Sequence, residues 1–386
     1  MMLSACQRFD SSIPSGWVLE PIGKRIALEY GSGLTDAERT PGAYQVFGSN
    51  GPVGTHDKYL VEGPGILVGR KGSVGAVHFS EGNYWPIDTV YYVTRKANDD
   101  PRFIASLLEY LRLDNLNAAT GVPGLTRRDA LFMLGAFPPL NEQVRIAETL
   151  KAADDHIRAL EEQYRKAERV KKALMQSAFP YKRETIGLPT INSLIIAPVT
   201  NGYSPVCPDY ETGRWVLGLD ALTANGFDPA GRKPAPNDDP KLAGNELQEN
   251  DVLISRSNTR ERVGYAGLYQ GNPSPCFYPD LMMRVKVDHA KIRPRYLDLL
   301  LQSEFSRRFF QSRAGGTSGS MVKIKERDVR QMPVILPCVD SQDVLVERFN
   351  SVTALIAALG TQLTAARRVK QSLLQNLLTG KVRLKP

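Results

Sequence analysis

Basic side chains set in segments rich in glycine, serine and asparagine are the groups of this chain best suited to engaging another molecule. The first half carries Ser49-Asn50-Gly51, His56 and Lys58, then Arg70-Lys71-Gly72-Ser73, and later Thr126-Arg127-Arg128. The second half carries Arg256-Ser257-Asn258-Thr259-Arg260-Glu261-Arg262, then Gly316-Thr317-Ser318-Gly319-Ser320 with Lys323 and Lys325 behind it. Small residues let a loop approach a surface closely, while Arg, Asn and Ser supply donors and acceptors that match base edges. Geometry pairs Arg with guanine and Asn with adenine. Each residue taken singly is read as well as a solvated turn; recurrence at corresponding places in two halves is what predicts DNA contact. The runs Arg165–Lys172 and Arg367–Lys370 read as solvated helix faces rather than phosphate contacts.

Catalytic patterns are missing. There is no GxxxxGK phosphate loop, and Gly69-Arg-Lys-Gly-Ser-Val-Gly75 has the wrong spacing for a dinucleotide fingerprint. No Asn-Pro-Pro-Tyr-like segment marks an amino-methyltransferase, no Glu-x-Lys occurs, and Asp239-Pro-Lys241 sits in a Pro/Asn loop. His56, His78, His156 and His289 lack metal-ligand spacing, and Cys6, Cys207, Cys276 and Cys338 form no CxxC pair. These features predict no catalytic residue, no metal, no cofactor and a reducing cytoplasm. The charge of +8 and a pI near 9.2 point mildly to a polyanionic partner. With 42% hydrophobic and 23% charged residues, a mostly disordered or collagen-like chain is excluded. No uninterrupted apolar run approaches the roughly 18 residues that cross a bilayer, and the first residues show no apolar signal core.

What must position these loops is a repeated unit. A constant shift of 199 residues carries Asp129 onto Asp328 and, without a gap, Met133 onto Met332, Pro138 onto Pro337, Gln143 onto Gln342 and Ile157 onto Ile356. It continues through Leu160/Leu359, Val170/Val369, Lys171/Lys370 and Leu174/Leu373. Upstream the echo is looser: Gly65-Ile-Leu-Val-Gly-Arg70 resembles Asp251-Val-Leu-Ile-Ser-Arg256. In both copies apolar residues recur in steps of three and four, which predicts one long helix per copy with a coiled-coil seam. Leu150, Ile157, Leu160 and Leu174 mark that seam in the first copy; Phe349, Ile356, Leu359 and Leu373 mark it in the second. Asn141 and Asp340 are the expected N-caps, and Pro180 and Gly380 the expected stops. The expected fold is mixed α/β (α+β): two globular domains, each followed by a long helix, the two helices forming an antiparallel coiled coil within one chain. Boundaries are expected at 1–140, 141–180, 181–339 and 340–386. Strands are expected at 65–69, 74–79, 89–94, 251–255 and 281–287, with helices at 101–113 and 294–313; parallel and antiparallel pairing both stay open.

These residues also carry a family resemblance. Pro14-Ser-Gly-Trp17, Tyr44-Gln-Val-Phe-Gly-Ser-Asn-Gly51, Gly69-Arg-Lys-Gly-Ser73, Pro138-Pro-Leu-Asn-Glu-Gln143 and Leu377-Leu-Thr-Gly-Lys381 resemble the DNA-specificity (S) subunit of Type I restriction–modification systems. The second copy, Pro337-Cys-Val-Asp-Ser-Gln342, departs from the signature by lacking Glu before Gln. The resemblance implies two target recognition domains reading the halves of an asymmetric, gapped double-stranded DNA target, with the helices as spacer. It implies docking of two modification (methyltransferase) subunits, with Glu142, Gln143 and Gln342 as contact candidates, and later restriction (translocase and nuclease) subunits. Catalysis would then reside in those other chains, in the cytoplasm and away from any membrane. The alternatives are an S-like subunit of a Type II-like fused nuclease–methyltransferase system, a coiled-coil adaptor without DNA affinity, and an unrecognised enzyme.

Overall fold

The computed structural model describes residue 9 and residues 13–116, 124–181, 187–316 and 321–384. Two compact units divide the chain: Met1–Glu162 with Gly360–Pro386, and Gln163–Leu359. The division cuts through both long helices, so each unit owns a piece of each.

The first unit is built on a four-stranded antiparallel sheet ordered Ile26–Tyr30, Val90–Arg95, Gly65–Gly69, Val77–Ser80. Its central strand Gly65–Gly69 is buried along its whole length and alternates between two cores. Ile66 and Val68 point into the main core with Phe103, Ile104, Leu107 and Leu108 of the helix Pro101–Leu111. Leu67 points into a smaller one with Phe47 and Tyr84. A strand covered on both faces reads as a continuous apolar run, which is why its sequence shows no alternation. Beside it, Tyr44–Gly48 pairs antiparallel with Gly51–His56 and parallel with Tyr84–Pro86.

The second unit repeats the plan. Thr200–Asn201, Met282–Val285, Val252–Ser255 and Ala266–Leu268 form the matching antiparallel sheet. Trp215–Leu217 again takes one antiparallel partner, Arg232–Pro234, and one parallel partner, Cys276–Phe277. Val252 and Ile254 face the main core while Leu253 faces a second cluster. The strands lie within a few residues of the expected ranges. The expected helix over 294–313 is instead two helices, Pro294–Gln302 and Glu304–Arg313. Ser303 breaks it: its hydroxyl donates to the Leu300 carbonyl and accepts from the Ser306 amide, ending one helix and capping the next.

The long helices run Leu140–Ala178 and Val339–Leu378, 39 and 40 residues, about 58–60 Å at 1.5 Å per residue. Each starts earlier than its expected cap. The Pro139 carbonyl receives the Glu142 and Gln143 amides at 2.9 and 3.0 Å, and the Cys338 carbonyl receives that of Gln342 at 3.1 Å. Asn141 and Asp340 therefore lie inside the first turn and are not the caps. In the first unit, Ile146, Ala147 and Leu150 share a core with Leu374, Leu377 and Leu378, and Leu373 packs against it. Ion pairs Glu161–Arg367 at 2.7 Å and Asp154–Lys370 at 2.8 Å order the two stretches antiparallel. In the second unit, Leu174, Met175 and Ala178 pack against a core that includes Phe349, with Leu345 and Val346 beside it. Leu160 and Leu359 are buried, while Ile157 and Ile356 are half-buried. Lys370, which interrupts the apolar pattern, is accommodated by Glu109 and Asp154, both at 2.8 Å. The helix Val339–Leu378 has the length and hydropathy of a membrane span, but the apolar side chains near its two ends are taken up by the two cores.

One buried glutamine fixes each helix to its globular part. Gln143 accepts from the Asp100 amide at 2.9 Å and donates to Asp99 at 2.8 Å and to the Pro138 carbonyl at 2.9 Å. Gln342 accepts from the Arg293 amide at 2.8 Å and donates to the Lys291 and Pro337 carbonyls at 3.0 and 2.9 Å. Three bonds tie helix start, proline corner and the residues just ahead of an upstream helix, Pro101–Leu111 or Pro294–Gln302, together in both copies.

Candidate nucleic-acid interface

Both units place one arginine at the end of the central strand and hold it in the same way. In the first, the Arg70 and Lys71 amides donate to the Thr89 carbonyl at 2.9 and 3.2 Å. The Leu125 amide donates to the Arg70 carbonyl at 2.9 Å, and an Arg70 η nitrogen donates to the Asp88 carbonyl at 2.9 Å. In the second, the Arg256 and Ser257 amides donate to the Leu281 carbonyl at 2.8 and 3.3 Å. The Ile324 amide donates to the Arg256 carbonyl at 3.0 Å, and an Arg256 η nitrogen donates to the Asp280 carbonyl at 3.2 Å. Each guanidinium is partly exposed and, among the described residues, hydrogen-bonded through one η nitrogen, so the fork has further N–H groups to offer acceptors.

The loop beyond each arginine is closed by a glycine. Gly75 donates to the Gly69 carbonyl and Gly264 to the Ser255 carbonyl, both at 2.8 Å, and both have φ of +75°. A Cβ at Gly75 would meet the Asp114 backbone at 2.2 Å, and one at Gly264 would meet the Phe310 side chain at 2.6 Å. Both conformation and space demand glycine. Between the same closing bonds the second unit has a longer loop, and it exposes Thr259, Arg260 and Arg262.

The surroundings of the two arginines differ. In the first unit Tyr30 carries the Arg70 guanidinium at 4.8 Å and that of Arg127 at 4.4 Å from its ring centre. Arg127 also donates to the Leu28 carbonyl at 3.1 Å. Ser49 and Asn50, at the tip of the neighbouring hairpin, reach Ser73 at 3.4 and 3.5 Å. Thr126 and Arg128 are exposed beside Arg127, and Thr126 caps the helix Arg127–Phe132. Ser49, Asn50, Arg70, Lys71, Ser73, Thr126, Arg127 and Arg128 thus come from three separate segments that hydrogen bonds link into one neighbourhood. Tyr91 lies beneath, its hydroxyl donating to the Leu125 carbonyl at 3.0 Å, and burial raises its pKa.

Other expected contacts are placed elsewhere. His56 is buried, accepts from the Thr40 amide at 3.1 Å and stands edge-on to Trp85. It lies at the opposite end of its strand from the Ser49-Asn50 turn, with exposed Lys58 just beyond it. Ser257 and Asn258 are buried and form a short strand pairing with Val322–Lys323. Lys323 itself is exposed. Thr317, Ser318 and Ser320 lie outside the described residues, as does Cys6. The signature side chains are also turned inward: besides the two glutamines, Glu142 is buried, accepts from Trp17 Nε1 at 3.2 Å and pairs with Arg383 at 2.7 Å. Tyr30 is a participant that the sequence patterns missed, because its contacts span 40 residues to Arg70 and nearly 100 to Arg127. Among the described residues no group of His, Cys, Asp or Glu is arranged to hold a metal ion.

Residues 31–169 match the family model described as "Type I restriction modification DNA specificity domain". Over this stretch the chain is similar to a type I DNA specificity domain. The Type I restriction enzyme EcoEI specificity subunit of Escherichia coli is 23% identical over 180 residues, covering 46% of this chain. The chain spans only 30% of that relative's length. The Type I restriction enzyme MjaVIII specificity subunit of Methanocaldococcus jannaschii is 24% identical over 318 residues, 75% of this chain and 72% of that one. The fold extends the likeness beyond the specificity domain. The crystal structure of the S subunit from M. genitalium covers 96% of this chain and 97% of its own at a TM-score of 0.63 and 15% identity. A chain from a structure on assembly and conformational transition of the type I R-M system covers 97% and 100% at 0.57 and 16%. Two mixed α/β units and long antiparallel helices are therefore the S-subunit fold.

Proposed function

We propose that this chain is the sequence-reading subunit of a type I restriction–modification complex in the cytoplasm, with one recognition domain per half of a gapped, asymmetric target. Residues 1–140 and 181–339 form the two readers, and 141–180 and 340–386 the helices between them. One observation carries the reading: Arg70 and Arg256 are held by matching bonds at matching places, while the side chains around them differ. A shared mount with different surroundings is what reading two unlike half-sites requires. The exposed Lys71, Thr126, Arg128, Thr259, Arg260, Arg262 and Lys323 supply phosphate and further base contacts around each arginine. Two methyltransferase subunits and then restriction subunits assemble on the chain and supply the chemistry. Glu142, Gln143 and Gln342 serve docking by fixing the helix starts, since their own side chains are consumed within the chain.

The test uses the chain in complex with its methyltransferase subunits and duplexes randomised over the target. Arg70→Ala and Arg256→Ala each relax base preference in one half-site only, by about 1–3 kcal/mol for a bidentate guanine contact. Uniform weakening on every sequence would make them phosphate contacts. Affinity that does not fall as salt rises would leave an adaptor without DNA affinity as the reading.

A further inference from the structure

We propose that Tyr30 determines the specificity of the first recognition domain, as a positioning residue that holds Arg70 and Arg127 as a pair of guanine-reading forks. This rests on the DNA-reading function above and adds what the first domain reads. Tyr30 ends the outer strand Ile26–Tyr30, half exposed at 49%, directly across the ladder from Tyr91. Both guanidiniums lie within 5 Å of its ring centre. Each is also pinned by one backbone carbonyl, Asp88 for Arg70 and Leu28 for Arg127. An arginine on a ring face and a carbonyl has lost most of its rotamer freedom, yet retains N–H groups to offer. Guanine presents O6 and N7 as two acceptors side by side, the match for a held guanidinium.

The second domain shows what its absence looks like. Ladder pairing and the matching bonds around Arg70 and Arg256 align Tyr30 with Asn201, Tyr91 with Met283 and Arg127 with Glu326. Among the described residues the arginine there has neither the aromatic platform nor the second cation. The first half-site accordingly holds guanines at two positions, one under each fork, and Arg256 reads one in the second.

A cation–π contact at an exposed site is worth a factor of roughly two to five in conformer population, and Tyr30 makes two. Selection from a duplex pool randomised over the target, with the chain and its methyltransferase subunits, reads the outcome. The expected wild-type result is guanine at two positions of one half-site. Tyr30→Ala lowers preference at each by about two- to five-fold, leaving the other half-site and affinity for unrelated DNA unchanged; Tyr30→Phe keeps both preferences, and Arg127→Ala loses one. Full preference in Tyr30→Ala, or equal loss on all sequences, overturns the positioning role. So does a first half-site without two positions that depend on Arg70 and Arg127. A wild-type complex that enriches no sequence sinks the DNA-reading function itself, and this inference with it.

Discussion

Replacing Gln342 by Ala removes three hydrogen bonds from a side chain with no exposed surface. The Arg293 amide and the Lys291 and Pro337 carbonyls lose their partner at once. At roughly 1 kcal/mol net per bond, more where a group stays buried and unpaired, the second unit should lose about 3 kcal/mol. With a urea slope of about 2–3 kcal/mol/M for a unit of this size, its midpoint should fall by about 1 M or slightly more. Trp215 is the one tryptophan of that unit, so a Trp17→Phe, Trp85→Phe background reports on it by fluorescence. Hydrogen exchange should show the Arg293 amide losing protection while strands such as Val252–Ser255 open only with the global transition. Gln143→Ala should do the same to the first unit. A midpoint shift below about 0.3 M, with the Arg293 amide still protected, would refute the view that this glutamine anchors the helix.

Two further outcomes follow from the helices. Burial lowers the pKa of Lys370, but Asp154 and Glu109 outweigh it and hold the ammonium above its ordinary 10.5. Its contribution is thus fully present below pH 10.5 and is lost as the pH climbs through the folded-state value. Lys370→Met should cost about 1 kcal/mol at pH 8 in thermal or urea unfolding, and that difference should shrink as the pH rises beyond 10.5; a pH-independent difference would mean packing, not charge. Inserting four residues after Leu160 and four after Leu359 adds about 6 Å of helix, close to two base pairs of duplex. Methylation-site mapping should then show a target gap about two base pairs longer, and an unchanged gap would reject the helices as spacer.

The repeat was legible because helix periodicity and the Pro…Gln spacing survive in sequence. The glutamines share two bonds in both copies, from an amide ahead of a helix and to the proline carbonyl, while the third goes to the Asp99 carboxylate in one and the Lys291 carbonyl in the other. The arginine loops were legible because glycine and basic residues cluster locally after an apolar run. What escaped was set by distant partners. Tyr30 looks like an ordinary strand end until Arg70 and Arg127 fold onto it. His56, Ser257 and Asn258 have the composition of a DNA-reading loop, and only the paired strands around them show that they are buried. Ser303 splits a helix that its periodicity would continue, because one hydroxyl serves both ends of the break. The helix starts fell earlier than expected because backbone carbonyls at Pro139 and Cys338 cap them without a side-chain signature.

The way the two units divide the chain bears on the order in which it folds. Gln163–Leu359 is continuous and has all its residues once position 359 has been synthesised. The other unit cannot close its core until Leu374, Leu377 and Leu378 arrive, although its sheet is translated first. The later-made unit is thus complete in sequence before the earlier one, whose core closes only with the last turns of the helix Val339–Leu378.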